Sequence, residues 1–74
     1  MNTLAQMNQG ESAIICTLAA TGSIRKRLLD IGLVPGTKVE CLQKSPLGDP
    51  TAFFIRGAVI ALRYEDCSKI FVQG

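Results

Sequence analysis

Thr21-Gly22-Ser23-Ile24-Arg25-Lys26-Arg27-Leu28-Leu29-Asp30-Ile31-Gly32-Leu33-Val34-Pro35-Gly36-Thr37 contains one short helix and the two signals that end it. Thr21-Gly22-Ser23 offers an N-cap oxygen, and Ile24, Leu28 and Ile31 follow at i, i+4 and i+7 on one stripe, which predicts a short amphipathic helix from Ile24 to Ile31. Gly32 stands where a helix most often needs a left-handed residue, and Leu33 beyond it can fold back as in a Schellman ending. Pro35-Gly36 matches the central pair of a type II turn, so a strand is expected from Thr37.

Working outward, the segment before this helix reads as a strand. Asn8-Gln9-Gly10 punctuates the chain after a helical turn around Thr3 to Met7, and Ala13 to Leu18 then form strand one, with Ile14, Cys16 and Leu18 assigned to the inward face by alternation. After the turn, Thr37 to Lys44 alternates imperfectly. Val39 and Cys41 share one face, Lys38, Glu40 and Lys44 the other, and Leu42 falls on the polar side. Ser45 to Pro50 is a surface loop, since its two prolines lack the donor a helix interior or central strand requires. Ala52 to Arg56 and Val59 to Arg63 read as two strands around a Gly57-Ala58 hairpin, with Phe53, Ile55, Ile60 and Leu62 inward. Tyr64 to Ser68 suits one helical turn, and Lys69 to Val72 a last strand carrying Ile70 and Val72 inward.

These elements predict a mainly β protein. The expected fold is a small SH3-like β-barrel of about five strands, with one short α-helix between strands one and two. Closure would remove edges that otherwise pair with other chains. An OB-fold has the same inventory, but its helix usually lies between strands three and four, so the early helix favours the SH3-like arrangement.

With 74 residues, one domain over residues 1–74 is expected, with a core that has little apolar area to spare. An apolar share of 47% and a charged share of 19% argue against disorder. A net charge of +2 is too weak a field to imply general attraction to nucleic acid or anionic lipid. The residues from Met1 to Asn8 lack the basic and apolar regions of a signal peptide, and the longest apolar run, Ala58 to Leu62, is far short of a membrane span, so a cytoplasmic protein without membrane insertion is expected.

With no His, no phosphate loop and no nucleophile elbow in the sequence, the commonest catalytic signatures are missing, and no enzyme activity and no cofactor are expected. Glu65 and Asp66 are adjacent, and neighbours on a helical turn diverge. Cys16, Cys41 and Cys67 are widely spaced and include no CxxC pair; they read as separate buried thiols, the alternative being a soft-metal site assembled by folding. Arg25-Lys26-Arg27 opens the helix, where cations oppose its dipole. The three are either solvated side chains covering the core or contacts to an acidic or phosphate-bearing partner. Pro46-Leu47-Gly48-Asp49-Pro50 sets an apolar Leu between two prolines, fitting either a stiff connector or a preorganised recognition loop.

Taken together, three stretches resemble the FeoA family: Arg25 to Thr37, Ser45 to Pro50, and Arg56-Gly57 with Ile60-Ala61-Leu62-Arg63. Their order and spacing match too, over Leu4 to Val72. Departures are small: Ile31 stands where the family often has Met, and Asp66-Cys67 where it often has Glu-Ala. The resemblance implies an SH3-like barrel and a role as the small cytosolic companion of the FeoB transporter, whose membrane domain moves ferrous iron and whose cytosolic domain binds GTP. It provides no metal-ligand set.

Docking on the cytosolic face of such a transporter is expected to use Leu47, Gly48, Asp49 and Pro50 together with Arg25 and Arg27. Arg56 and Arg63 are either further contacts or cross-strand surface charges. Three other classes compete: an SH3-like regulatory domain akin to the C-terminal domain of metal-dependent repressors, a thiol-based iron-binding protein, and a nucleic-acid-binding barrel. The repressor reading lacks a helix-turn-helix here, and the last lacks both stacking platforms and a basic groove. Self-association as a weak homo-oligomer stays open.

Overall fold

A computed structural model describes residues 2–45 and 49–74. Among the described residues six strands and two helices follow in the order β1 (Asn2–Thr3), β2 (Ser12–Leu18), α1 (Gly22–Asp30), β3 (Lys38–Lys44), β4 (Thr51–Ile55), β5 (Ala58–Leu62), α2 (Tyr64–Cys67) and β6 (Ile70–Gln73), with a 3-10 turn at Leu4–Gln6. Every pairing is antiparallel, and the spatial order is β1-β6-β2-β3-β4-β5. This is the expected SH3-like arrangement, with α1 leaving the sheet between the first two long strands. Two details differ from expectation. A sixth strand exists because Asn2 and Thr3 pair with Val72 and Phe71, a match of two residues too short to leave a periodic signal. Hydrogen bonding also stops short of closure, leaving β1 and β5 as the two edges.

Alternation fails where the sheet bends. In β2 the buried residues are Ala13, Ile15 and Leu18, whereas Ile14 is 41% exposed and Cys16 half-buried. The inward face assigned to Ile14 and Cys16 is therefore corrected, Leu18 alone remaining. The cause is a bulge: the β2–β6 register shifts between Ile15 and Thr17, and the extra residue lets Ile15 and Leu18, three apart, both face the core. A second shift, between Cys41 and Gln43 in β3, accounts for Leu42 interrupting the alternation there.

The β4–β5 hairpin turns on Arg56-Gly57 instead of Gly57-Ala58. Arg56 has φ 51° and Gly57 φ 84°, while Ile55 pairs with Ala58, so a two-residue turn of type I′ joins the strands. Its right-handed twist suits the flanking strands, and this is why the unfavourable φ at Arg56 is accepted.

Helix α1 begins two residues earlier than predicted and holds the sheet through a narrow contact. Leu28 is fully buried and Leu29 partly so, but Ile24 and Ile31 are 40% and 37% exposed, and Thr21 makes no side-chain cap bond. The ending is as expected. Gly32 lies at φ 107°, its N–H donates to the Leu29 carbonyl at 3.1 Å, the Leu33 N–H donates to the Leu28 carbonyl at 3.0 Å, and the Leu33 side chain is buried. The following turn closes with the Thr37 N–H on the Val34 carbonyl at 3.0 Å.

Phe53, Leu4, Ile15, Leu28, Leu33, Ile55, Ile70, Val39, Cys41 and Cys67 form the fully buried centre. Each large aliphatic or aromatic side chain there contributes roughly 1.5–3 kcal/mol of transfer free energy.

Candidate functional site

The face around β5 combines exposed apolar side chains, cations and a strand open on one edge. Glu40 of β3 pairs with Phe54, and Phe54 with Val59, so these three form one row on the outer face of the sheet. Phe54 is exposed and Val59 is 66% exposed. Beside this row, a groove of about 340 Å³ runs between β3 and the hairpin, with Lys38, Glu40, Phe54 and Arg56 on its walls. On the other side of β5, a groove of about 310 Å³ separates the strand from α1, lined by Arg27, Ile31, Ile60, Ala61, Arg63 and Asp66.

The candidate residues are distributed unevenly around this face. Arg27 and Arg63 line the same groove. Arg27 Nη2 donates to Asp66 Oδ2 at 3.1 Å, tying α1 to α2; with the arginine side chain 62% exposed, the pair is worth about 0–1 kcal/mol. Arg63 is exposed at the start of α2. Arg56 lines the other groove, and its stem passes beside the C-terminal turn of α1: a Cβ placed on Gly32 would lie 3.4 Å from Arg56 Cδ. Arg25 is engaged elsewhere, its Nη1 donating to the Leu18 carbonyl at 3.2 Å.

Asp49 has a structural task. Its Oδ1 accepts the Tyr64 N–H at 2.9 Å, supplying the first turn of α2 with the acceptor that no side chain of its own N-cap provides. Pro50 is exposed, and its carbonyl accepts the Ser45 N–H at 3.2 Å across the base of the loop. Leu47 and Gly48 lie outside the described residues.

The cysteines are free thiols, Cys41 and Cys67 buried and Cys16 half-buried on the β2 bulge. Burial pushes the Cys67 thiol up to about 12, the Asp66 and Asp49 carboxylates adding to it. Burial likewise raises Cys41, against the opposing charge of Lys44. Both are therefore protonated at neutral pH, the form that binds metal least well. Among the described residues no group of three or more His, Cys, Asp or Glu side chains is arranged to hold a metal ion, and no helix is long and apolar enough to cross a membrane.

Phe54, Val59 and Ile31 were not among the sequence candidates. Periodicity could assign Val59 only to a hairpin strand, because exposure on the outer face depends on which strands neighbour it. A signal was present in the composition of β5, where Ala58-Val59-Ile60-Ala61-Leu62 contains no charge and no proline.

Comparison with known proteins assigns the family. The FeoA domain family matches residues 2–74. A protein of Porphyromonas gingivalis described as an Fe(2+) transport protein A/Fe(2+) transporter FeoB fusion is 36% identical over 70 residues, which is 95% of this chain and 8% of the fusion. The solution structure of iron(II) transport protein A from Clostridium thermocellum superposes with a TM-score of 0.93 at 34% identity, covering 96% of this chain and 44% of that one. The zinc complex of Stenotrophomonas maltophilia FeoA, described as a prokaryotic SH3 domain protein, gives 0.86 at 26% identity over 99% of this chain and 91% of that one. A manganese-dependent transcriptional repressor, at 15% identity and a TM-score of 0.87 over 97% of this chain and 40% of its own, shares the fold alone. With a family match along nearly its whole length, this chain belongs to the FeoA domain family.

Proposed function

We propose that the protein is a non-catalytic cytosolic accessory of ferrous iron uptake, which docks on an FeoB-type transporter and modulates its assembly or its GTPase cycle. The observation that carries this reading is the fusion relative, in which a similar domain and an FeoB transporter share one chain. Tethering raises effective concentration to the millimolar range, so evolution can join two partners whose separate interface is small and weak. Where the two are separate, the interface itself must supply the affinity. The surface around β5 is suited to that, with Phe54 and Val59 exposed and Arg27, Arg56 and Arg63 around them.

The proposed contacts are Arg25, Arg27, Arg56 and Arg63 together with Leu47, Gly48, Asp49 and Pro50. Calorimetric titration into a purified full-length FeoB-type transporter, with and without a non-hydrolysable GTP analogue, tests the reading. Saturable binding that changes with nucleotide is expected; no heat of binding in either state overturns it. Leu47→Asp is expected to weaken the association at least tenfold with an unchanged circular dichroism spectrum, and unaltered affinity removes the loop from the interface.

A second reading, an SH3-like domain that regulates in response to metal, is favoured by the fold shared with the manganese-dependent repressor. It predicts amide shifts on adding Mn(II) or Fe(II) in the absence of any transporter.

A further inference from the structure

Edge strands in folded proteins are usually shortened, charged, interrupted by proline or bulged, because unpaired backbone invites another strand. Of the two edges here, β1 has only two residues. β5 has five, none charged and none proline, and its register with β4 runs from Ile55↔Ala58 to Thr51↔Leu62 without a shift. Its backbone is also aimed outward at defined positions. A two-residue hairpin makes Ile55 and Ala58 a hydrogen-bonded pair, so by alternation Phe53 with Ile60 and Thr51 with Leu62 are bonded as well. Val59 and Ala61 are then the residues whose N–H and C=O turn away from β4, and among the described residues no other strand or loop pairs with them. Both side chains are exposed.

From this geometry we infer that β5 is an acceptor for strand addition, taking an extended segment of the partner protein that is apolar at alternate positions and carries a carboxylate at each end. This rests on the docking reading above and names how the docking is made. A segment paired to Val59 and Ala61 would direct one set of side chains over the Phe54–Val59 row and the other into the groove beside Ile31 and Ile60. Its flanks would meet Arg56 at the hairpin and Arg63, with Arg27, at the opposite end. The same charges disfavour a second copy of this chain as occupant: antiparallel pairing of β5 with another β5 sets the Arg56 end of each strand against the Arg63 end of the other, cation against cation.

Two arms test the inference. In the first, amide hydrogen exchange is followed in the complex with the full-length FeoB-type transporter, alongside the affinities of Val59→Pro and Val59→Ala. Proline at position 59 removes an outward N–H and spares the β4 ladder, so the variant stays folded; its amide spectrum checks this, and Ala61→Pro stands in if it does not. At least tenfold slower exchange at Val59 and Ala61 is expected, with at least tenfold weaker binding by Val59→Pro and a smaller loss for Val59→Ala. In the second arm the synthetic peptide Glu-Val-Thr-Val-Thr-Val-Glu is titrated into the protein alone. Shifts centred on the Val59 and Ala61 amides, absent with a backbone N-methylated peptide, are expected. Transporter binding without protection at β5 and with full affinity in the proline variant overturns strand addition and leaves docking intact. Peptide shifts without transporter binding uphold the acceptor edge and overturn docking. Silence in both arms overturns both. A dimer of the free protein in sedimentation that Val59→Pro dissolves overturns the assignment of the occupant, making it a second copy.

Discussion

Cys67, the last residue of α2, has its Sγ 3.9 Å from the Leu62 carbonyl, and burial pushes its thiol from the ordinary 9.0 up to about 12. In the unfolded chain the same thiol ionises near its ordinary value. Between these limits the folded protein holds a proton that the unfolded chain has lost, so stability falls as pH rises from about 9 toward 12. Urea unfolding at pH 7.5 and pH 10 should show the loss, and Cys67→Ala, less stable at both, should flatten the dependence. Thiol reagents at neutral pH should modify Cys16 and leave Cys41 and Cys67 untouched, which mass spectrometry reads directly. Asp49 makes a second prediction at this scale. Losing its bond to the Tyr64 N–H should cost about 1 kcal/mol in Asp49→Ala, with Asp49→Asn retaining most of it because an amide oxygen still accepts. A loss of transporter affinity in Asp49→Ala but not in Asp49→Asn would trace to the cap and not to a direct charge contact.

Helix α1 is attached through Leu28, with Leu29 and Leu33 adding to the hold, and the exposed Ile24 and Ile31 contribute little to it. Leu28→Ala should cost about 2–5 kcal/mol in thermal or chemical unfolding, whereas Ile24→Ala should stay within about 0.5 kcal/mol. The two faces of this helix show which features a sequence carries by itself. The left-handed Gly32, the returning Leu33 and the Pro35-Gly36 turn depend only on local backbone chemistry, and each is where the sequence indicated. The buried stripe was misjudged because periodicity reports a helix face without saying how much sheet will meet it. The bulges at Cys16 and Leu42 were hidden for a related reason: they exist only relative to a partner strand, and no single strand announces its register. Docking candidates divide likewise. Clustered charge drew attention to Arg25, whose Nη1 also donates to the Leu18 carbonyl, while Phe54 and Val59 come together only through the pairing of β4 with β5.

At the scale of the whole molecule, an SH3-like sheet with β5 open on one side and α1 laid beside it is the surface on which the proposed docking rests. The cations around that face should make transporter association depend on ionic strength: raising salt from 50 to 300 mM should slow association severalfold while leaving dissociation little changed, as stopped-flow measurement would show. The strand order has a consequence for how the molecule comes into being. β6, the last of these strands in chain order, sits between β1 and β2, the first two. Until it leaves the ribosome, the earlier strands lack the neighbour that joins them, and β2 pairs on one side only. Folding of this sheet must therefore wait for β6 and then close in one step, on the millisecond-to-second scale of non-local β topologies. A nascent chain that has emerged from the ribosome only as far as Lys69 should be open to protease, and emergence of Ile70 to Gln73 should make it resistant.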